Sequence, residues 1–331
     1  MYVDPFRDGF TLTQLSQAIT TLPNMYSRIT QMGLFAWRPQ STNTISIEMR
    51  NGVLALVPMT PWGGVAPKNK SGRRNMKSFT IPHMPLEDTV MASDVMGVRE
   101  FGTENQLAAV TTRVNDKLQE MKNKFDITHE WQFFNALKGF VLDPADGSIV
   151  ENYFTAFDIT PKVVNFELDD PNTDVRSKCV EVLRYIEDNA NGELISKVIA
   201  PVSAEFFDEL IGHASVKAAY SGWSEAANKL GGDLRKGFTF GGITFEEYRA
   251  KVGNQRFIDE GEGHAFPMGT TSTFSDFGAP ADFNETVNTL AIPYYARQKN
   301  KDFNRGIDLH VQSNRLPLVA NPGLLVKLIA E

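Results

Sequence analysis

The chain has 331 residues, of which 42% are hydrophobic and 22% charged, a balance typical of a folded globular protein. Its net charge of −7 argues against a dedicated nucleic-acid-binding protein, and its single cysteine, Cys179, excludes an internal disulfide and favours a reducing, intracellular setting. The N-terminus is charged at once, and the longest uncharged stretch, 51–67, is interrupted by Pro and Gly. We therefore expect neither a signal peptide nor a membrane-spanning helix, but a soluble protein made in the cytoplasm.

The charges are unevenly distributed along the chain. Residues 1–80 carry nine Lys and Arg against three Asp and Glu, a net charge of +6, whereas residues 81–331 carry 24 against 37, a net charge of −13. Three interpretations stay open: a basic arm that contacts nucleic acid, an arm that lies on the acidic body of a neighbouring copy, or a chance fluctuation on a solvated surface.

The N-terminal part predicts a short helix and then an extended ribbon. Apolar residues at helical spacing predict a helix over 10–21, and the chain then reads as an extended arm to residue 39. Strict alternation over 44–49, an Asn-Gly turn and an apolar run over 53–57 indicate a hairpin. Strand character returns over 76–83, after an irregular basic stretch. The whole of 40–84 is therefore predicted to be a two-stranded ribbon with a basic tip.

Such a ribbon buries too little to be stable alone, and its long edges invite pairing with another chain. We expect it to dock on a neighbouring subunit, with its basic tip against acidic surface. The candidate residues for inter-subunit contact are Trp37, Arg38, Trp62, Lys68, Lys70, Arg73, Arg74 and Lys77.

The most regular predicted element is a helix over 104–138. Val110, Val114, Leu118, Met121 and Phe125 recur at spacings of three and four, and charged residues fill the opposite face. The phase of the apolar stripe shifts after Phe125, so the pattern predicts either one long helix or a helix kinked near residue 126. A hairpin with an Asp-Gly turn is predicted over 140–154.

The remainder alternates between helices and strands. Ser203 is a predicted helix cap, Asn-Pro-Gly at 321–323 is predicted to separate two C-terminal strands, and 259–285 is predicted to be a long surface loop. The other predicted elements are helices at 174–190, 204–211 and 214–230, a strand at 194–200 and a strand pair at 237–246.

Motifs for catalysis are incomplete in this sequence. His129 and Glu130 begin a metal-binding pattern, but Phe133 stands where the second histidine is required. Ser224 lacks the second glycine of a nucleophile elbow, and 231–237 has no phosphate-binding spacing. Cys179 lies in an apolar helical run and is interpreted as a buried hydrophobe.

The histidines are interpreted as structural, and no cofactor, metal or catalytic residue is predicted. They are scattered without the spacing of metal ligands. Gly-Glu-Gly-His at 261–264 is the most suggestive local cluster. The five histidines are His83, His129, His213, His264 and His310.

The order of parts and three motifs resemble a known family. The motifs are Thr-x-Thr-Ile-Ser-Ile-Glu-x-x-x-Gly-x-Leu-Ala-Leu-Val-Pro at 42–58, Gly-x-x-x-Lys-Asn-Lys-x-x-Arg-Arg at 64–74 followed by Phe-Thr-Ile-Pro-His at 79–83, and Ser-Asn-Arg-Leu-Pro-Leu-Val-Ala-Asn-Pro at 313–322. With them the chain resembles the Hong Kong 97 type of tailed-bacteriophage capsid fold and, within it, the lambda-type major capsid protein E family.

This resemblance implies an α+β fold and its division into parts. It implies an N-terminal arm, an extended loop, a peripheral domain that contains a spine helix at about 104–138, an axial domain, and C-terminal strands that return to the peripheral domain. Their respective boundaries would be 1–39, 40–84, 85–172, 173–300 and 301–331.

The resemblance also implies partners and a setting. Subunits would form hexamers and pentamers of an icosahedral shell in the virion, assembled in the host cytoplasm, with packaged double-stranded DNA contacted non-specifically and no membrane. A decoration protein, a portal, a scaffold and a maturation protease would be the protein partners. Some members of the wider fold join a lysine of one subunit to an asparagine of another by a covalent bond. Lys68, Lys70 and Lys77 lie in the ribbon, but no motif identifies the partner asparagine or a catalytic acid. We therefore expect no covalent cross-link in this protein.

Two alternatives to a phage capsid stay open at this point. One is an encapsulin-like nanocompartment shell of the same fold, enclosing an enzyme cargo. The other is a soluble enzyme of unknown type, with 173–300 as its body.

Overall fold

A computed structural model of the chain describes Ser16, Ile19 and residues 28–50, 74–95, 106–220, 234–253 and 255–331. The helices are α1 (Arg28–Gln31), α2 (Ala92–Val95), α3 (Gln106–Leu137), α4 (Tyr153–Phe157), α5 (Val175–Asp188), α6 (Ala204–Gly212) and α7 (Ala214–Tyr220). Strands of the first half are β1 (Ala36–Pro39), β2 (Thr44–Arg50), β3 (Arg74–Thr80), β4 (Pro85–Met91), β5 (Phe140–Leu142), β6 (Ile149–Asn152), β7 (Lys162–Asn165) and β8 (Lys197–Val202).

The second half supplies ten further strands. They are β9 (Phe238–Phe240), β10 (Ile243–Glu247), β11 (Lys251–Val252), β12 (Gln255–Arg256), β13 (Glu262–Met268), β14 (Phe274–Gly278), β15 (Tyr295–Asn300), β16 (Gly306–Gln312), β17 (Arg315–Val319) and β18 (Val326–Ile329). None of the described helices is long and apolar enough to cross a bilayer.

The chain divides into two compact units. The first contains Met1–Ile45, Phe79–Phe133 and Ser275–Pro317, and the second contains Ser46–Ser78, Phe134–Phe274 and Leu318–Glu331.

The first unit is built around the N-terminal part of α3. The predicted apolar stripe is confirmed: Val110, Val114, Leu118, Met121 and Phe125 are all buried. They form one hydrophobic cluster with residues of the antiparallel sheet β15-β16-β4. The helix is continuous over 32 residues, or roughly 48 Å, so one long helix is formed. A second sheet in this unit has the strand order β1-β14-β17, with β1 parallel to β14.

The second unit has a mixed six-stranded sheet in the order β7-β18-β13-β8-β10-β9. Helix α5 covers its core through Val175, Cys179, Val182 and Ile186, which are buried at helical spacing. Ser203 caps α6 as predicted, because its hydroxyl accepts a hydrogen bond from the Phe206 N–H at 3.2 Å. The hairpin β5-β6 and the strand pair β9-β10 are also confirmed.

The surface loop predicted over 259–285 is wrong. This segment contains β13 and β14, and β13 is an inner strand between β18 and β8. Gly263 on β13 serves close packing rather than a turn, because a Cβ at this position would lie 2.5 Å from Cγ1 of Val202 on β8. The C-terminal region also holds three strands rather than two, since Ser313 and Asn314 interrupt the pattern between β16 and β17.

Several predictions fall outside the described residues. They are the strand over 53–57 with its Asn-Gly turn, the helical residues beyond Tyr220, and most of the helix over 10–21. Of that helix the structure describes Ser16 and Ile19, which are both helical. Ser224 and residues 231–233 also lie there.

Candidate inter-subunit surfaces

Strands β2 and β3 form a two-stranded ribbon with a buried base. At the base, Ile45, Phe79 and Ile81 are buried, and the Ile81 N–H donates to the Asn43 carbonyl at 2.8 Å. The base of the ribbon is therefore anchored by apolar packing and by a backbone hydrogen bond.

Further out, Ser46 and Ser78 are exposed, and Ile47 is half-buried. The Ser46 and Ser78 hydroxyls lie 3.2 Å apart across the two strands. Met76 is 70% exposed and Lys77 is also exposed. The ribbon therefore presents apolar and basic side chains that its own chain does not cover.

The predicted contact residues lie in two places. Trp37 and Arg38 are neighbours on β1, Lys77 lies on β3, and Arg74 begins β3. Trp62, Lys68, Lys70 and Arg73 are outside the described residues, and the described part of the chain therefore brings together only Trp37 and Arg38.

Trp37 is half-buried and takes part in a cluster within its own chain. The Arg315 guanidinium lies 5.2 Å from the centroid of the Trp37 ring and 5.3 Å from that of Phe133. A Cβ on Gly278 would lie 2.0 Å from the Trp37 ring, so glycine is required where β14 passes the indole. Arg38 donates from Nε to the Ser275 hydroxyl at 2.9 Å.

The same guanidinium neutralises a buried carboxylate. Arg315 donates from Nε to Asp276 at 2.8 Å and makes a second contact through Nη2. Asp276 is 1% exposed, and burial raises the pKa of its carboxyl while Arg315 opposes that rise. Sequence reasoning missed this pair, although Arg315 lies within the 313–322 motif.

The N-terminal segment is attached to helix α3 at its buried residue Glu130. The Glu130 carboxylate accepts hydrogen bonds from the Ile29 N–H at 2.7 Å, from the Thr30 N–H at 3.4 Å and from the Thr30 hydroxyl at 3.3 Å. A stacked contact between Phe35 and Phe133, with centroids 4.9 Å apart, continues the attachment.

The arm is also held further upstream. Ser16 accepts a hydrogen bond from the Ala296 N–H at 3.0 Å, and Ile19 is fully buried in the cluster around α3. The described residues of the arm therefore pack on their own subunit.

Polar side chains of α3 take part in structural contacts. Tyr294 donates a short hydrogen bond to Asp126, and burial raises the pKa of the tyrosine hydroxyl. The Ser313 hydroxyl donates a hydrogen bond to the Pro293 carbonyl at 2.7 Å. The same hydroxyl must therefore accept the hydrogen bond that joins it to Nε2 of His129, at 2.7 Å. Burial, followed by the charge of Arg315, lowers the pKa of His129 well below its usual value.

The remaining reactive side chains are isolated. Burial raises the pKa of the Cys179 thiol to about 12, which confirms its interpretation as a buried hydrophobe. His264 lies on β13 rather than in a loop, with its ring edge against Phe134. His213 bonds to the Asp170 carbonyl at 2.9 Å. Within the described ranges, no group of three or more His, Cys, Asp or Glu side chains could hold a metal ion.

A two-stranded ribbon, a long helix packed on an antiparallel sheet and a six-stranded mixed sheet are the parts of a class of shell protein, the tailed-phage capsid fold. The chain has the same fold as the mature capsid protein of bacteriophage PhiM1, with a TM-score of 0.51 and 14% identity, over 100% of this chain and 92% of that one. The sequence matches the family "Phage major capsid protein E" over residues 11–330, and the chain belongs to this family.

Two relatives span the whole chain. The major capsid protein of Salmonella phage Felix O1 (isolate Felix O1-VT1) is 28% identical, over 100% of this chain and 99% of the relative. That of Pseudomonas phage KPP10 is 26% identical, over 98% of both. The α+β capsid fold and the role of a phage major capsid protein that forms the shell of a virion are thus confirmed, and the nanocompartment is not favoured.

Proposed function

We propose that this chain assembles into the hexamers and pentamers of an icosahedral shell around double-stranded DNA, with the ribbon of each subunit lying across its neighbour. The observation that carries the proposal is the ribbon with a buried base and an exposed outer part. A shell held by repeated contacts needs extended segments that bury large areas on adjacent copies.

The charge of the ribbon supports this contact. Residues 46–78 carry six Lys and Arg and one Asp or Glu, a net charge of +5, in a chain whose net charge is −7. Electrostatic attraction between a basic ribbon and an acidic neighbour orients the contact. The proposed contact residues in the ribbon are Trp62, Lys68, Lys70, Arg73, Arg74 and Lys77, with Trp37 and Arg38 beside its base.

The proposed parts of the subunit are the N-terminal arm 1–39, the extended loop 40–84, the peripheral domain 85–172, the axial domain 173–300 and the C-terminal strands 301–331. Pairing of β16 with β4 and of β18 with β7 supports the return of the last segment to the peripheral domain. Helix α3 would be the spine helix.

The shell would assemble in the host cytoplasm with further proteins. We propose a decoration protein, a portal, a scaffold and a maturation protease as these partners, and a structural role without catalysis. The net charge of −7 favours weak, non-specific contact with the packaged DNA rather than tight binding.

Electron microscopy of the purified protein across a range of salt concentrations, alongside light scattering, tests the assembly. We expect closed shells, tubes or capsomers, with yields that fall at high salt because surface attraction is screened. A protein that stays monomeric in every condition, even with its scaffold supplied, would contradict the proposal.

A charge-reversal pair tests the ribbon. Arg73→Glu with Arg74→Glu should abolish or strongly reduce assembly and leave the circular dichroism and thermal unfolding of the monomer unchanged. The matched control, Lys217→Glu with Lys236→Glu, changes the net charge equally at exposed positions outside the ribbon and should still assemble. Normal shells from the ribbon variant would refute this contact.

A further inference from the structure

The hairpin between β15 and β16 carries an exposed aromatic side chain at its tip. Phe303 is 89% exposed, and both Phe303 (φ 60°) and Asn304 (φ 54°) have left-handed backbone conformations. A bulky aromatic residue rarely adopts this conformation. The tip thus combines two unfavourable features, a disfavoured backbone and an uncovered ring.

The surrounding structure holds the tip in this conformation. The Lys301 N–H donates to the Gly306 carbonyl at 2.9 Å, and the Arg305 carbonyl accepts from the Ala92 N–H at 2.9 Å. The Arg305 guanidinium lies 5.5 Å from the centroid of the Phe303 ring. Strained residues that persist because their surroundings impose them are concentrated at functional sites.

A second exposed apolar surface lies in the loop 281–292. Val287, Leu290 and Ile292 are 64%, 65% and 41% exposed. The loop is ordered by hydrogen bonds, including one from the Ile292 N–H to the Tyr295 hydroxyl at 3.0 Å. We call this surface the apolar loop.

The tip and the apolar loop lie at opposite ends of β15. The six residues of this strand hold them roughly 17 Å apart, so the two surfaces do not cover each other within one subunit. Their charges are complementary. Residues 299–305 carry three basic residues and one acidic residue, and Lys301 is paired with Asp308 at 3.1 Å. Residues 281–292 carry two acidic residues and no basic one, and Glu285 is paired with Arg297 at 3.1 Å. With these two ion pairs set aside, the tip keeps a net charge of +1 and the apolar loop a net charge of −1.

We propose that the Phe303 tip of one subunit packs on the apolar loop of the next copy of this chain. The occupant is a second copy because one chain supplies both surfaces, with matching apolarity and opposite charge. The tip and the loop are different surfaces, so the contact is head-to-tail, and its repetition closes a ring or extends a lattice. The inference rests on the shell-forming role and adds a contact separate from the ribbon.

Cysteine cross-linking in assembled particles tests the pairing. The native Cys179 is buried, so engineered surface cysteines are the reactive ones. Phe303→Cys with Leu290→Cys in one chain should give a ladder of disulfide-linked oligomers after oxidation. A mixture of the two single variants should give dimers and nothing larger. Phe303→Cys with Leu194→Cys, which pairs the tip with an equally accessible position (78% exposed) outside the loop, should give no ladder.

The anchoring role of the ring is tested by Phe303→Ser. We expect the protein concentration needed for assembly to rise about tenfold or more, because an aromatic anchor is lost. Leu194→Ser, the matched control, should assemble as the unmodified chain does.

The outcomes separate this inference from the shell role. If the double-cysteine chain forms shells but gives no ladder, the inference is overturned and the shell role stays intact. Disulfide-linked dimers of Phe303→Cys alone would have the same consequence, because they would mean that two tips meet each other. A chain that forms no shell in any condition would overturn both.

Discussion

Replacing Arg315 by methionine should strongly destabilise the first unit. Arg315→Met preserves most of the side-chain volume but removes the hydrogen bonds to Asp276 and the stacking against Trp37 and Phe133. The Asp276 carboxylate, 1% exposed, is then left without a counter-charge. Breaking a buried ion pair from one side costs about 3–5 kcal/mol, which is a large share of the total stability of a typical domain.

A double variant separates the charge from the packing. Arg315→Met with Asp276→Leu removes both charges and should recover most of the lost free energy of unfolding, because an apolar pair replaces a buried ion pair at little cost. The assay is urea unfolding of the unassembled subunit, followed by tryptophan fluorescence. A loss below about 1 kcal/mol in Arg315→Met at pH 7 would refute the reasoning.

The pH dependence gives an independent check. Burial raises the pKa of Asp276, and Arg315 opposes the rise. Without Arg315, the pKa of the Asp276 carboxyl in the folded variant lies further above the value of about 3.9 in the unfolded chain. Between these two pKa values, the folded variant binds a proton that the unfolded chain does not. Stability from this group is then lost as pH rises through the folded pKa, so the deficit of Arg315→Met should be larger at pH 7 than at pH 5. An equal deficit at both pH values would contradict the assignment.

Two further predictions concern buried polar groups. Glu130→Gln should weaken the attachment of the N-terminal arm by about 1–3 kcal/mol, because the glutamine amide has only one oxygen to accept the hydrogen bonds of Ile29 and Thr30. Limited proteolysis should then cleave the arm sooner than in Glu120→Gln, the control on the same helix. Burial lowers the pKa of His264 well below its usual value of about 6.5. Below pH 6.5 the unfolded chain therefore binds a proton that the folded chain does not, and the free energy of unfolding should decrease by up to about 1.4 kcal/mol for each unit that the pH is lowered. His264→Phe should reduce that slope in urea unfolding between pH 7.5 and 5, and an unchanged slope would count against the assignment.

Local periodicity carried most of what could be predicted. Helix α3 was predictable because its core positions repeat every three or four residues, and the cap at Ser203 because its chemistry is local. The ribbon was predictable from the strict alternation over 44–49 and from the return of strand character over 76–83.

Long-range pairing was not predictable in this way. The segment over 259–285 resembles a loop in composition, yet Gly263 lies on an inner strand and packs closely against Val202. The contact of the Trp37 ring with Arg315, a residue far away along the chain, was not predicted either. Such pairs leave no spacing pattern, so only the folded backbone identifies them.

The sheet order also determines when the subunit can finish folding. Strand β18 lies between β7 and β13 inside the six-stranded sheet, and β1 pairs with β14, joining Ala36 to Ser275. Ribosomes add about 5–20 residues per second, so these early strands wait many seconds for their partners to be synthesised. A nascent chain lacking residues 326–329 has an open gap in its sheet. The six-stranded sheet therefore cannot be completed until residues 326–329 have been synthesised.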